Sequence, residues 1–241
     1  MNAAAKLTVD AIDGTSLDRY TGLLQATFDS DPPPFGTAAY GDHFYAHARH
    51  PDWLAGTLAQ NAQVEGDGAR KLQDLVSRVA DPALTNLIWR HAVDESNHAR
   101  HYESILYLVF PDVVVDPDTA AALHRASPSL RLPDPPAEST PSSDAVIYDE
   151  LIQMNIGEIR TRIHHCLFTS VLVQIVPETN KDRLARLLDT ILADETNHIA
   201  YTARLIDSKT ADPEWYDWAL ACFAQRTREF NELTVTQVGA H

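Results

Sequence analysis

A five-residue string occurs twice in the chain with one Ser/Thr replacement. Residues 94–98 read Asp-Glu-Ser-Asn-His and residues 194–198 read Asp-Glu-Thr-Asn-His. Each copy contains a Glu-x-x-His pair, and side chains three positions apart lie on the same face of a helix. A carboxylate and an imidazole placed in this way can bind one metal ion. The repeat therefore predicts two half-sites for metal.

Four long segments almost free of Pro position these pairs: residues 52–80, 82–109, 144–176 and 181–208. In each segment the apolar residues recur in steps of three and four, a pattern typical of helices packed in a bundle. Each stripe is apolar at both ends and polar in the middle. The second stripe consists of Leu84, Ile88, His91, Glu95, His98, Tyr102, Ile105 and Val109. A charged Glu inside such a stripe costs on the order of several kcal/mol unless something compensates its charge.

The positions of the Glu residues along the helix axes indicate which carboxylate lies beside the first Glu-x-x-His pair, Glu95 and His98. A short loop around Asp81 makes the first two helices antiparallel neighbours. Glu65 lies 16 residues before Asp81 and Glu95 lies 14 residues after it. We therefore expect these two carboxylates at nearly the same height.

The same argument selects a partner for the second pair. Glu158 lies 19 residues before Pro177 and Glu195 lies 18 residues after it, so these two are level. Glu150 lies 27 residues before Pro177, which is about 12 Å too far along the helix at 1.5 Å per residue. Glu158 is therefore the predicted ligand.

The predicted ligand set combines carboxylates and neutral imidazoles, which suit Fe or Mn. Four carboxylates also balance the charge of two divalent ions. The set contains no thiolate, which argues against a structural zinc or iron–sulfur site. Its members are Glu65, Glu95, His98, Glu158, Glu195 and His198.

Over residues 52–208 these motifs resemble the ferritin-like di-metal carboxylate superfamily, and the Asp-Glu-x-x-His form is similar to its oxygen-activating enzymes. The resemblance implies an all-α fold: a four-helix bundle with a long crossover between helices two and three and extra N- and C-terminal helices. It implies two Fe ions, with Mn or mixed Mn/Fe as alternatives, O2 as co-substrate and an external electron donor. It also implies that Asp94 and Asp194 accept hydrogen bonds from ligating His residues and orient them.

His91 precedes Glu95 by four positions and shares its helix face. The string His-x-x-x-Glu-x-x-His partly resembles the arylamine N-oxygenases, which use a third His ligand. In those enzymes the extra His precedes the second Glu-x-x-His, where this chain has Ile191. His91 is therefore either a seventh ligand or a hydrogen-bonded interior residue.

Five further residues fall on the same stripes near the predicted ligands. Small residues among them leave room for oxygen or substrate, whereas the Tyr and the His are either pocket residues or ordinary interior residues with satisfied polar atoms. These candidates for a substrate pocket are Gly68, Tyr102, Thr161, His165 and Thr202.

Composition limits the other possibilities. The 241 residues fit one ferritin-like domain, divided into an N-terminal extension (1–50) with a helix over 16–28, two helical hairpins (52–109 and 144–208), a Pro-rich crossover (110–143) with a short helix over 119–125, and a C-terminal helix (213–237). That last helix covers the bundle or contributes to a homodimer.

A net charge of −15 argues against nucleic acid and anionic membranes. With two Cys, no visible signal peptide and no long apolar run, we expect a cytoplasmic protein.

Three classes of function follow. The first is a non-haem di-iron oxygenase or oxidase acting on a small organic substrate, with N-oxygenation, hydroxylation, desaturation and oxidative cleavage all open. The second is a ferroxidase or iron-handling protein similar to bacterioferritin, whose subunits are shorter and usually lack a Pro-rich crossover. The third is a binding or electron-transfer protein that keeps the metals without turnover.

Overall fold

The computed structural model describes residues 2–13, 16–112 and 142–238, and within these residues all regular structure is helical. This agrees with the predicted all-α class; the four-helix ferritin-like arrangement stays a prediction. Short 3-10 turns cover Pro34–Gly36 and Glu178–Asn180. The eight α-helices are α1 (Ala3–Ala11), α2 (Asp18–Ser30), α3 (Ala38–Ala48), α4 (Pro51–Ser77), α5 (Pro82–Val109), α6 (Asp144–Ile175), α7 (Lys181–Lys209) and α8 (Pro213–Val238).

Three of the five long helices begin at a proline. Pro51, Pro82 and Pro213 are the first residues of α4, α5 and α8, positions where a missing N–H costs nothing. Asp81 also caps α5, since its side chain accepts a hydrogen bond of 2.9 Å from the Ala83 N–H. The predicted ends of α5 are confirmed at both residues, and those of α6, α7 and α8 are correct to within one residue. The predicted helix over 52–80 was too long, since α4 ends at Ser77.

The N-terminal prediction needs correction, because residues 1–50 contain three helices rather than one. Helix α1 begins after Asn2, whose side chain accepts a hydrogen bond of 2.9 Å from the Ala4 N–H. Helix α2 is capped from far away in the sequence: the Asp207 carboxylate accepts from the backbone N–H groups of Arg19 and Tyr20 at 2.9 and 3.0 Å. The sequence around α2 gives no sign of this cap, because Asp207 belongs to α7. The predicted short helix over 119–125 lies outside the described residues.

The chain divides into two compact units. The first comprises Met1–Ala46, Asp144–Phe168 and Leu192–His241. Its buried apolar core draws on α1, α2, α3, α6, α7 and α8, so the helices of residues 1–50 take part in this core. The largest core side chains include Tyr20, Leu23, Leu24, Phe28, Ile152, Ile156, Ile199 and Phe223.

The second unit comprises His47–Ser143 and Thr169–Ile191. Helices α4 and α5 pack against each other here, and the apolar side chains that they bury include Leu58, Leu72, Ile88 and Ile105. Asn180, in the turn before α7, donates a hydrogen bond of 2.9 Å to the Leu108 carbonyl near the end of α5. None of the helices within the described residues combines the length and apolar character needed to span a membrane.

Candidate metal centre

Helices α4 and α5 of the second unit carry four of the predicted side chains, and all four are buried. Glu65 comes from α4, whereas His91, Glu95 and His98 come from successive turns of α5. Their exposed fractions lie between 0% and 7%. His91 Nε2 lies 3.4 Å from Glu95 Oε1, and His98 Nδ1 lies 3.5 Å from the same oxygen. Glu95 is therefore the residue around which this half of the site is arranged.

The electrostatics at Glu95 explain how a carboxylate is tolerated there. Burial raises the pKa of Glu95, but hydrogen bonds with Glu65, His91 and His98 and the charge of His98 outweigh this effect. The resulting pKa lies well below its ordinary value. Since Glu65 and Glu95 are both carboxyl groups, a hydrogen bond between them requires a shared proton. A metal cation can take the place of that proton.

Helices α6 and α7 carry the other predicted ligands. Glu195 and His198 lie one turn apart on α7 and are 0% and 2% exposed. Glu158 lies on α6 and its side chain is 12% exposed. His198 Nδ1 lies 4.0 Å from Glu158 Oε2, so the level positions expected for Glu158 and the second pair agree with the geometry.

The structure forms two groups of four potential ligands. In each group, one ligand atom per residue lies within 4.8 Å of the others. One group consists of His91, Glu95, Glu158 and His198, and the other of Glu65, Glu95, His98 and Glu195. Every predicted ligand belongs to a group, His91 joins them, and Glu95 belongs to both.

This donor set fits divalent metal ions. Bonds of about 2.0–2.2 Å place the ligands of one ion at most about 4.4 Å apart, so groups within 4.8 Å need only a small contraction. Glu and His together suit Fe or Mn. Because six of the seven residues are buried, an ion would also be shielded from bulk water. The protein thus contains a cluster of buried Glu and His side chains that could hold metal.

The remaining predicted residues fall into different environments. Tyr102 and His165 are buried, at 2% and 1% exposure, whereas Gly68 and Thr161 are partly exposed. Thr202 is fully buried, and its hydroxyl donates a hydrogen bond of 2.7 Å to the His198 carbonyl. Their role in a substrate pocket stays a prediction.

Asp94 and Asp194 are partly buried. They directly precede Glu95 and Glu195 in the two copies of the repeat. Their hydrogen bonds to ligating His residues stay a prediction.

A buried polar network in the first unit was not anticipated from the sequence. Tyr20 Oη donates a hydrogen bond of 2.9 Å to Asn155 Oδ1, and Asn155 Nδ2 donates one of 2.9 Å to Thr202 Oγ1. Burial raises the pKa of the Tyr20 hydroxyl, and the bond to Asn155 opposes this only in part. Asn155, one turn before Glu158 in the interior of α6, was the available signal, because a mid-helix Asn that is buried needs partners. Nothing near Tyr20 in the sequence indicates its partner.

A second unanticipated pair joins Tyr40 and His164. Tyr40 Oη lies 2.6 Å from His164 Nε2, and the two rings stack with centroids 5.4 Å apart. Burial and the nearby charge of Arg160 lower the pKa of His164 to about 3. Burial also raises the pKa of Tyr40 to about 12, and Arg160 opposes that rise. Both side chains are therefore neutral at ordinary pH, and a hydrogen bond joins the hydroxyl to the imidazole.

Comparison of the chain with family models, curated proteins and solved structures finds no significant match. The functional argument therefore depends on the residues and their geometry.

Proposed function

We propose that this protein is a non-haem di-iron oxygenase or oxidase that uses O2 to oxidise a small organic substrate. The observation that carries this proposal is the pair of four-residue groups that share Glu95. A shared carboxylate is what holds two cations close together, and two adjacent ions are what a two-metal reaction requires. The ferritin-like arrangement of α4, α5, α6 and α7 is part of the same proposal.

Each group has a defined part in this proposal. Glu65, His98 and Glu195 would hold one ion together with Glu95. The second ion would be held by His91, Glu158 and His198, again with Glu95. When bound, the two ferrous ions would supply electrons for the reduction of O2, and an external electron donor would return the oxidised ions to the ferrous state.

The protein residues contribute charge balance, orientation and exclusion of water. Four Glu side chains neutralise two divalent ions, and the low pKa of Glu95 keeps its carboxylate ionised for binding. Burial of Glu195 and of all three His side chains keeps bulk water away from the ions. In such a low-dielectric setting the interaction between cations and carboxylates is stronger than in water.

Reconstitution with iron tests the proposal. The protein would be loaded anaerobically with ferrous ions, mixed with O2 and followed by absorbance, in the presence of amines, acyl compounds or aldehydes. We expect two irons per chain, oxygen consumption that depends on both, and one substrate class that is oxidised. Glu158→Ala is expected to lose this reactivity.

Two results would contradict the proposal. One is a wild-type protein that binds no iron under these conditions. The other is assembly into a large hollow cage that accumulates iron without oxidising any organic compound, which would favour the iron-handling alternative.

A further inference from the structure

Gly68 lies where the α4 backbone passes directly over the shared carboxylate of Glu95. A Cβ atom added at Gly68 would lie 3.4 Å from Glu95 Oε2 and 4.0 Å from Glu95 Cγ. The Glu95 side chain is buried, with 4% of the residue exposed, but Gly68 itself is partly exposed. Beyond the neighbours of Gly68 on α4, Glu95 supplies the only atoms of the described residues within 4 Å of that Cβ position, so none of their other side chains lies between the partly exposed Gly68 and the carboxylate.

One exposed neighbour of Gly68 is apolar. Val64 lies one turn before Gly68 on α4, on the same side of the helix, and is 52% exposed. An exposed Val one turn from Gly68 places an apolar side chain beside the position where the α4 backbone approaches the buried carboxylate. Larger residues at position 68 would fill this space.

We propose that Gly68 forms the entry point through which O2 and the slim apolar end of a substrate reach the metal ions beside Glu95. This inference rests on the proposed di-iron function. It assigns to Gly68 a role in access and size selection, and none in holding the metal. Side chains at position 68 should then slow the passage of small ligands in proportion to their size.

Another glycine of the same helix provides a matched control. A Cβ atom added at Gly56 would meet nothing within 4 Å. Substitution of either Gly by Ala or Val changes the intrinsic helix propensity of α4 in the same way. A difference between the two positions therefore reports the space above Glu95.

The experiment measures azide binding to the air-oxidised, iron-loaded protein by stopped-flow absorbance. The variants are Gly68→Ala, Gly68→Val, Gly56→Ala and Gly56→Val, each first shown to contain two irons per chain. Obstruction of a passage raises the barrier in both directions, so the association and dissociation rates should fall by the same factor while Kd stays unchanged. For Gly68→Val we expect a decrease of about tenfold, the effect of roughly 1.4 kcal/mol on the barrier. Gly68→Ala should give a smaller decrease, and both Gly56 variants should match the wild type.

The outcomes separate this inference from the proposed function. If Gly68→Val fails to hold iron, Gly68→Ala carries the test, because its Cβ makes an ordinary van der Waals contact at 3.4 Å. Wild-type rates in the Gly68 variants, or a changed Kd with an unchanged association rate, would overturn the entry point and leave the di-iron centre standing. Failure of azide to bind the irons of the wild type would likewise overturn the entry point and leave the di-iron centre standing. A wild-type chain without iron would overturn the proposed function itself.

Discussion

Two buried polar regions of this protein differ in how their charges are balanced. The neutral network of Tyr20, Asn155 and Thr202 consists of uncharged groups joined by hydrogen bonds of 2.9 Å. The acidic cluster, made of the seven Glu and His side chains of the two groups, brings four carboxylates together. Hydrogen bonds satisfy the polar groups of the neutral network, whereas the carboxylates of the acidic cluster also need positive charge to balance them.

The difference separates residues that stabilise the fold from residues that bind a ligand. Burial of neutral groups that form short hydrogen bonds costs little free energy. If one such group is removed, its buried partners lose their hydrogen bonds, and the protein then carries the full desolvation penalty of those partners. Carboxylates packed together repel one another until protons or cations neutralise them. We therefore expect changes in the neutral network to alter stability, and changes in the acidic cluster to alter metal binding.

The largest expected effect is the stabilisation of the acidic cluster by metal. Ferrous ions at a hundredfold excess over Kd should raise the free energy of unfolding by about 2.7 kcal/mol per site. Anaerobic thermal unfolding, followed by circular dichroism with and without metal, measures this. Glu95→Ala should lose the stabilisation from both sites, since Glu95 belongs to both groups. An equal metal-induced shift in the Tm of Glu95→Ala would remove the distinction between the two regions.

Substitution within the neutral network should have the opposite signature. Asn155→Leu deprives the buried Tyr20 hydroxyl of its acceptor and should cost about 2–3 kcal/mol of stability. The number of bound ions should not change. Urea unfolding and a metal titration measure the two quantities separately. Asn197→Leu, at an exposed position of α7, is the control and should be nearly neutral. Loss of metal binding at full stability in Asn155→Leu would contradict this assignment.

The Tyr40–His164 pair extends the comparison to pH. Folding lowers the pKa of His164 from 6.5 to about 3, so between these values the unfolded chain binds a proton that the folded chain does not. Stability from His164 is therefore fully present above 6.5 and is lost as the pH falls. Between about pH 7 and about pH 5 the loss should amount to about 1–2 kcal/mol.

Urea midpoints of the wild type and of His164→Gln across this pH range measure the effect. His164→Gln should lose less stability than the wild type on acidification. The other His residues contribute equally to both proteins, so the difference between the two profiles reports His164. Parallel pH profiles for the two proteins would show that His164 is protonated as easily in the folded chain as in the unfolded one.

The long helices and the grouping of the six Glu and His side chains could be predicted because both follow from local patterns. Proline and helix capping determined both ends of α5, and equal heights selected Glu158 over Glu150. Helices α1 and α3 were missed because they are short, and α3 also packs against residues distant in sequence, among them His164 and Phe168. The sharing of Glu95 by both groups could not be predicted either, since it depends on side-chain conformations rather than on spacing.

The smallest expected effect concerns the edge of the neutral network. Tyr20→Phe removes the hydroxyl and leaves Asn155 with its bonds to Thr202 and to the Ile199 carbonyl. We expect a loss of about 1 kcal/mol, measured by urea unfolding. A cost much larger than that of Asn155→Leu would mean that Tyr20, and not Asn155, is the centre of the network.

The most direct test of the acidic cluster is the number of ferrous ions bound per chain, measured by anaerobic equilibrium titration. The account predicts two ions for the wild type, none for Glu95→Ala and two for Glu150→Ala, the control on the ligand-bearing helix α6. It would be contradicted by a wild type that binds no ions, or by a Glu95→Ala variant that still binds two with wild-type affinity.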